Sequence, residues 1–234
     1  MTVMQQPGAR RDRAGTTGTR PGPWPIVAAV EVALAITAIL LDLLVPSLVL
    51  LVLAAVSLAV RRQGLGTLGL RRPDRPGRMC LQVVAMATVW TVLTFVLIKP
   101  LLEHLIGEAE DMSQYAGLQG DLPNVLGLLL LSWTLAAFGE ELAYRGFLLT
   151  RLREVLPAGA VGTVVAAVVS AVLFGWLHNE YGWVGVAQVT LDALFLTVLR
   201  FRYRTLWAGV VAHGVVNTIG IVAIFLAGPV AALW

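Results

Sequence analysis

Met79 to Ile98 reads MCLQVVAMATVWTVLTFVLI and carries no charged residue. As a helix, a run of this length crosses the hydrocarbon of a bilayer, which takes roughly 17 to 25 apolar residues. Similar runs lie on both sides of it. Asp42 and Pro46 interrupt the stretch from Ile26 to Val60, whose length suits two short spans and a tight turn better than one helix. Downstream, apolar runs extend from Leu122 to Thr150, Gly159 to Leu177, Val184 to Leu199 and Leu206 to Leu226. The predicted fold is all-α, a polytopic transmembrane helix bundle of about seven spans in one integral membrane domain, 24–234.

The bulk numbers agree. Of 234 residues, 58% are hydrophobic and 13% charged, and the mean hydropathy is +0.81. That is about half the charged share of a soluble domain. Residues 1–23 are rich in Gly, Thr, Pro and Arg and read as a disordered basic tail, because they bury too little to offset ordering entropy. Arg10, Arg11 and Arg13 imitate a signal peptide, but Ile26 to Val45 exceeds a usual h-region and no small-residue cleavage site follows, so a retained first span is expected. Cys80 is the sole cysteine, which leaves no disulfide framework or thiolate metal site within one chain.

The net charge of +3 comes from scattered arginines without aromatic interleaving, so no nucleic-acid partner is expected. Their placement is better explained by topology. Of 17 basic residues, all but Lys99 fall in the tail, in Arg61 to Arg78, in Arg145 to Arg153 and at Arg200, Arg202 and Arg204. Seven spans put these four segments on one side, and the positive-inside rule makes that side and the N-terminus cytoplasmic. The expected location is the cell membrane, multi-pass.

Several residues do not belong in such spans. Glu140, Glu141 and Arg145 fall in span four, His178 ends span five, Asp192 lies in span six, and His213 and Asn217 lie in span seven. A charge at a helix centre opposes insertion by roughly 2.5 to 3.5 kcal/mol, so these groups are expected to meet in a polar cavity. Residues four apart share a helix face. Glu141 therefore pairs with Arg145, Phe174 lies beside His178 and His213 beside Asn217, while Glu140 is rotated away from Glu141. Gly162, Ala166, Ala167, Ser170 and Gly175 allow span five a close approach that would bring His178 to Glu140.

A buried carboxylate, two imidazoles and an amide suit peptide hydrolysis by activated water. A Glu can take a proton from water, a His can share that water or serve the leaving amine, and a second His with an Asn can donate to the oxyanion. The plainer reading of Glu141 and Arg145 is a structural salt bridge, and that of Asp192 is a local hydrogen bond. His178 raises a question of depth: a straight span five carries it far from the basic side, so spans five and six are expected to be shallow or sunk, with the site open toward the cytoplasmic half.

FGEELAYR at Phe138 to Arg145, FGWLH at Phe174 to His178 and HGVVN at His213 to Asn217 match EExxxR, FxxxH and HxxxN in order. In these motifs the sequence resembles the CPBP family, the CAAX-protease and bacteriocin-processing intramembrane proteases that include type II CAAX prenyl endopeptidases. The resemblance covers about 122–226. It implies an intramembrane endopeptidase acting on a membrane-associated peptide or protein, with Glu140 and His178 activating water, His213 and Asn217 at the oxyanion, and Glu141 and Arg145 in support. A divalent metal such as zinc on Glu140, His178 and His213 is one option, although there is no HExxH helix and the same residues serve a metal-free mechanism. The alternative is a non-proteolytic membrane protein, either a bacteriocin-immunity or scaffold protein or a small proton-coupled transporter.

Overall fold

The computed structural model describes residues 23–229, and among them all regular structure is helical. The tail reading of 1–22 lies outside the described residues. The main helices are α1 (Trp24–Leu40), α2 (Pro46–Arg61), α3 (Pro76–Ile106), α4 (Leu122–Val155), α5 (Ala160–Trp176), α6 (Gly182–Tyr203) and α7 (Leu206–Ala227). Helix α3, α4, α7 and the segment Asn179–Tyr203 are long and apolar enough to cross a membrane, while α1, α2 and α5 are shorter apolar helices. Their outer faces carry exposed apolar side chains such as Leu81 (73%) and Leu130 (66%), as a lipid-facing surface requires.

Two helices depart from regular α geometry. Pro100 has no N–H to give the ladder, and the turns just before it widen to the i→i+5 pattern over Thr94–Ile98. The helix continues beyond Pro100, so Lys99 to Ile106 is helical rather than part of the loop. In α4 the widened pattern covers Ser132–Leu148, which includes both carboxylates and Arg145; such turns are rare and concentrate at functional sites.

Two apolar clusters hold the bundle together. Ala35, Ile39, Leu50, Tyr144, Leu148 and Phe174 join α1, α2, α4 and α5. Val83, Ala87, Leu199, Ala208 and Ala212 join α3, α6 and α7. Helix α4 packs on α7 and α6 on α5, which brings the clusters side by side.

The connections sort by charge. At the basic end, Arg200 Nη2 donates to Leu68 O at 3.2 Å, Thr205 Oγ1 to Arg71 O at 2.6 Å, and Leu206 N to Gly69 O at 2.9 Å. Gly69 has φ +96°, and a Cβ there would meet the Arg200 guanidinium, so glycine is needed for both conformation and space. At the opposite end, Asp111 N donates to Tyr181 O at 3.1 Å, the Tyr115 and Tyr181 hydroxyls are 2.6 Å apart, and Trp183 N donates to Glu108 Oε1 at 2.5 Å.

That second set of contacts ties the α5–α6 turn, which carries His178, to the α3–α4 connection. Helix α5 has 17 residues, about 26 Å at 1.5 Å per residue, short of a hydrocarbon core of about 30 Å. The α5–α6 turn thus ends early and is roofed by the α3–α4 connection. Span six is not short as expected, since α6 has 22 residues where 16 were expected. Its first turn starts beneath the roof at Gly182, and its last runs on to Tyr203.

Candidate active site

Where the two clusters meet, a cavity of about 400 Å³ lies between α3, α4, α6, α7 and the end of α5. Glu140, His178, Asp192, His213 and Asn217 all line it. The polar residues singled out in spans four to seven therefore share one chamber, apart from Glu141 and Arg145, which lie in its supporting wall.

The wall is built around α4. Glu141 is fully buried and its Oε1 lies 3.0 Å from Arg145 Nη1, the pair expected from a spacing of four. Glu140 keeps 19% side-chain exposure, with Oε2 3.9 Å from His213 Nε2. The other nitrogen of the same ring, Nδ1, is 3.5 Å from Glu141 Oε1. Glu140 is turned into the chamber while Glu141 stays in the wall, and one imidazole on α7 lies between the two carboxylates. The widened turns of α4 and the close approach of α7 account for this. A Cβ on Gly209 would land on the Glu141 carboxylate, and one on Gly214 would land on the Trp133 ring.

His178 is presented by the turn after α5. Its Nδ1 is 3.0 Å from Phe174 O, so a neutral ring that donates there leaves Nε2 free as an acceptor. His178 is in the chamber with Glu140 but not in ion-pair contact with it. Phe174 connects the two histidines, with ring centroids 4.9 Å from His178 and 6.2 Å from His213, and Arg145 Cζ lies 4.2 Å over its face. The FxxxH spacing pointed to Phe174 without giving it this role. Ser170 Oγ donates to Tyr144 O at 3.3 Å, joining α5 to α4.

Asp192 Oδ1 accepts from Trp90 Nε1 on α3 at 2.6 Å. The bond is to a distant helix, 102 residues away in sequence, rather than local. Lys99 and Glu110 form a buried ion pair at 2.8 Å in the far wall. Because Lys99, Glu110, Tyr115 and Tyr181 line the cavity, it extends toward the acidic connection and not toward the basic end as expected. The α5–α6 turn that carries His178 lies at that acidic end, and the chamber follows it.

Among the described residues, no three His, Cys, Asp or Glu side chains gather in a way that could hold a metal ion. Glu140, His178 and His213 do not fit as a ligand set, and no step is assigned to a metal. The chamber instead offers an accessible carboxylate beside an imidazole, a second imidazole, an amide and a buried ion pair behind them.

Residues 122–219 match the family described as type II CAAX prenyl endopeptidase Rce1-like. This segment runs from the start of α4 into α7. No curated protein and no solved structure matches the chain.

Proposed function

We propose that this chain, whose residues 122–219 match the type II CAAX prenyl endopeptidase Rce1-like family, is a CPBP intramembrane protease whose chamber hydrolyses a peptide bond of a membrane-associated substrate with water activated by Glu140. The observation that carries the reading is the 3.9 Å separation of Glu140 Oε2 and His213 Nε2 in a cavity shared with His178 and Asn217. That gap is too long for a hydrogen bond. A single water can span it, touching both atoms through bonds of about 2.8 Å that meet at roughly 90°.

In this reaction Glu140 takes the proton as the water oxygen attacks the carbonyl carbon, and the same proton passes to the leaving amine as the C–N bond breaks. His178, with Nε2 open to the chamber, shares the water or assists the amine. Asn217, one turn from His213 on α7, donates with it to the oxyanion, a contribution of about 2.7 to 4 kcal/mol per donor in comparable sites. Glu141 and Arg145 hold His213 and Phe174 in place. Helices that expose leucine and valine outward set the substrate at the bilayer, in a multi-pass protein of the cell membrane.

The test compares the proteome of membranes carrying the wild-type chain with that of membranes carrying Glu140→Gln. Peptide termini that appear only with the wild type are expected. Identical termini, with the variant folded, would overturn the hydrolytic reading in favour of immunity or scaffolding, and a proton-coupled flux in vesicles would identify a transporter.

A further inference from the structure

Of the carboxylates that line the chamber outside the proposed hydrolysis, Glu110 is paired with Lys99 and Asp192 is not paired with a cation among the described residues. Asp192 lies on α6 and spends Oδ1 on the Trp90 indole. The neighbouring cations are committed elsewhere: Lys99 to Glu110 and Arg145 to Glu141. One turn earlier on the same face of α6, Gln188 also lines the cavity, and its buried Oε1 has no hydrogen-bond partner. The aromatic wall beside them is ordered, with Trp90 stacked on Phe195 at 4.7 Å and 4° between planes.

A carboxylate without a cation and an amide oxygen without a donor, one helical turn apart and against stacked aromatic faces, suit a group that carries positive charge and several N–H donors. An ammonium or guanidinium satisfies the carboxylate and the amide oxygen together and gains from the ring faces. A side chain without N–H or O–H donors leaves both groups unmatched, a neutral donor leaves the carboxylate without a countercharge, and an anionic one is repelled by Asp192. The geometry points to Asp192 and Gln188 as a specificity subsite for a lysine or arginine side chain of the substrate, close to the bond that is cut. This inference rests on the hydrolytic reading for its substrate, but the binding step can be measured without cleavage.

The full-length chain carrying Glu140→Gln is titrated with N-palmitoylated peptides of a single sequence, in which lysine replaces norleucine at one position at a time. At one position the lysine peptide is expected to bind about tenfold more tightly than its norleucine counterpart, the scale of a close, desolvated charge pair. Adding Asp192→Asn, which preserves an acceptor for Trp90, should erase that difference with the unfolding midpoint unchanged. Gln188→Met should reduce it. Absence of a lysine preference at every position, or a preference that survives Asp192→Asn, would overturn the subsite. The preferred peptide is then offered to the wild-type chain. A peptide that binds with the lysine preference but stays intact would leave the subsite standing and count against hydrolysis alone.

Discussion

His213 Nδ1 stands 3.5 Å from Glu141 Oε1, while Nε2 of the same ring stands 3.9 Å from Glu140 Oε2. Two adjacent carboxylates on α4 therefore act on one imidazole with different burdens. Glu141 has no exposure and is tied to Arg145; Glu140 keeps an open face toward the chamber. Replacing each by glutamine should separate chemistry from architecture. Glu140→Gln is expected to abolish the Glu140-dependent peptide termini with little change in unfolding midpoint. Glu141→Gln breaks a buried ion pair and should lower stability by about 3 kcal/mol. Thermal unfolding of the two purified variants checks this, and equal midpoints would refute the division.

The glycine facing Glu141 gives a second test. Gly209 lets α7 lie against α4 so closely that an added Cβ would occupy the carboxylate's position. Gly209→Ala should cost about 1 to 3 kcal/mol through overpacking, and it should reduce cleavage by displacing His213 from its carboxylates. Gly127→Ala, on α4 away from the chamber lining, is the control, since a Cβ there meets nothing within 4 Å. Similar losses in both variants would show that helix flexibility, not proximity, is at issue.

Phe174 supplies the third. Its ring carries Arg145 on one face and stands close to both histidines. Phe174→Leu keeps an apolar side chain but removes the flat surface against which those groups are set. Misplacing reacting groups by about 1 Å can lower turnover by 10²-fold, and a loss of this order is expected in the yield of Glu140-dependent termini, with expression and membrane insertion retained. Unchanged yield would reduce Phe174 to filling space.

The sequence was most informative where four-residue spacing determines who meets whom. Glu141 and Arg145 are neighbours because a helix places them on one face, and Phe174 keeps His178 beside it because the turn that follows α5 folds His178 back onto the Phe174 carbonyl. The helical fold followed from runs such as Met79 to Ile98, since a bilayer demands length and apolarity before any detail of packing. What depends on how helices dock was hidden. The second contact of His213 arises from Gly209 and the widened turns of α4, and no spacing within α4 reveals a partner on α7. The direction of the chamber depends on the α3–α4 connection folding over the α5–α6 turn. Arginines near helix ends read as markers of the cytoplasmic face, which concealed that Arg61 and Arg151 are buried in a charged network.

That network yields the last prediction. Arg61 reaches Glu31 at 2.9 Å and Glu154 at 2.7 Å; Arg151 reaches Glu31 at 3.0 Å and Glu154 at 2.5 Å, and also donates to Ser57 Oγ at 2.9 Å. Four charges thus join α1, α2 and the end of α4, fastening the first two helices to the segment that carries the catalytic candidates. Arg151 is almost wholly buried, so removing Glu31 leaves its charge short of a partner in a low-dielectric setting. A double-mutant cycle of Glu31→Gln and Arg151→Gln should give a coupling energy of about 0.5 to 3 kcal/mol. Either single variant should also loosen α1 from α4, seen as faster amide exchange in both helices. A coupling near zero, with exchange unchanged, would mean that the apolar cluster containing Ile39 and Leu148 holds this corner without the charges.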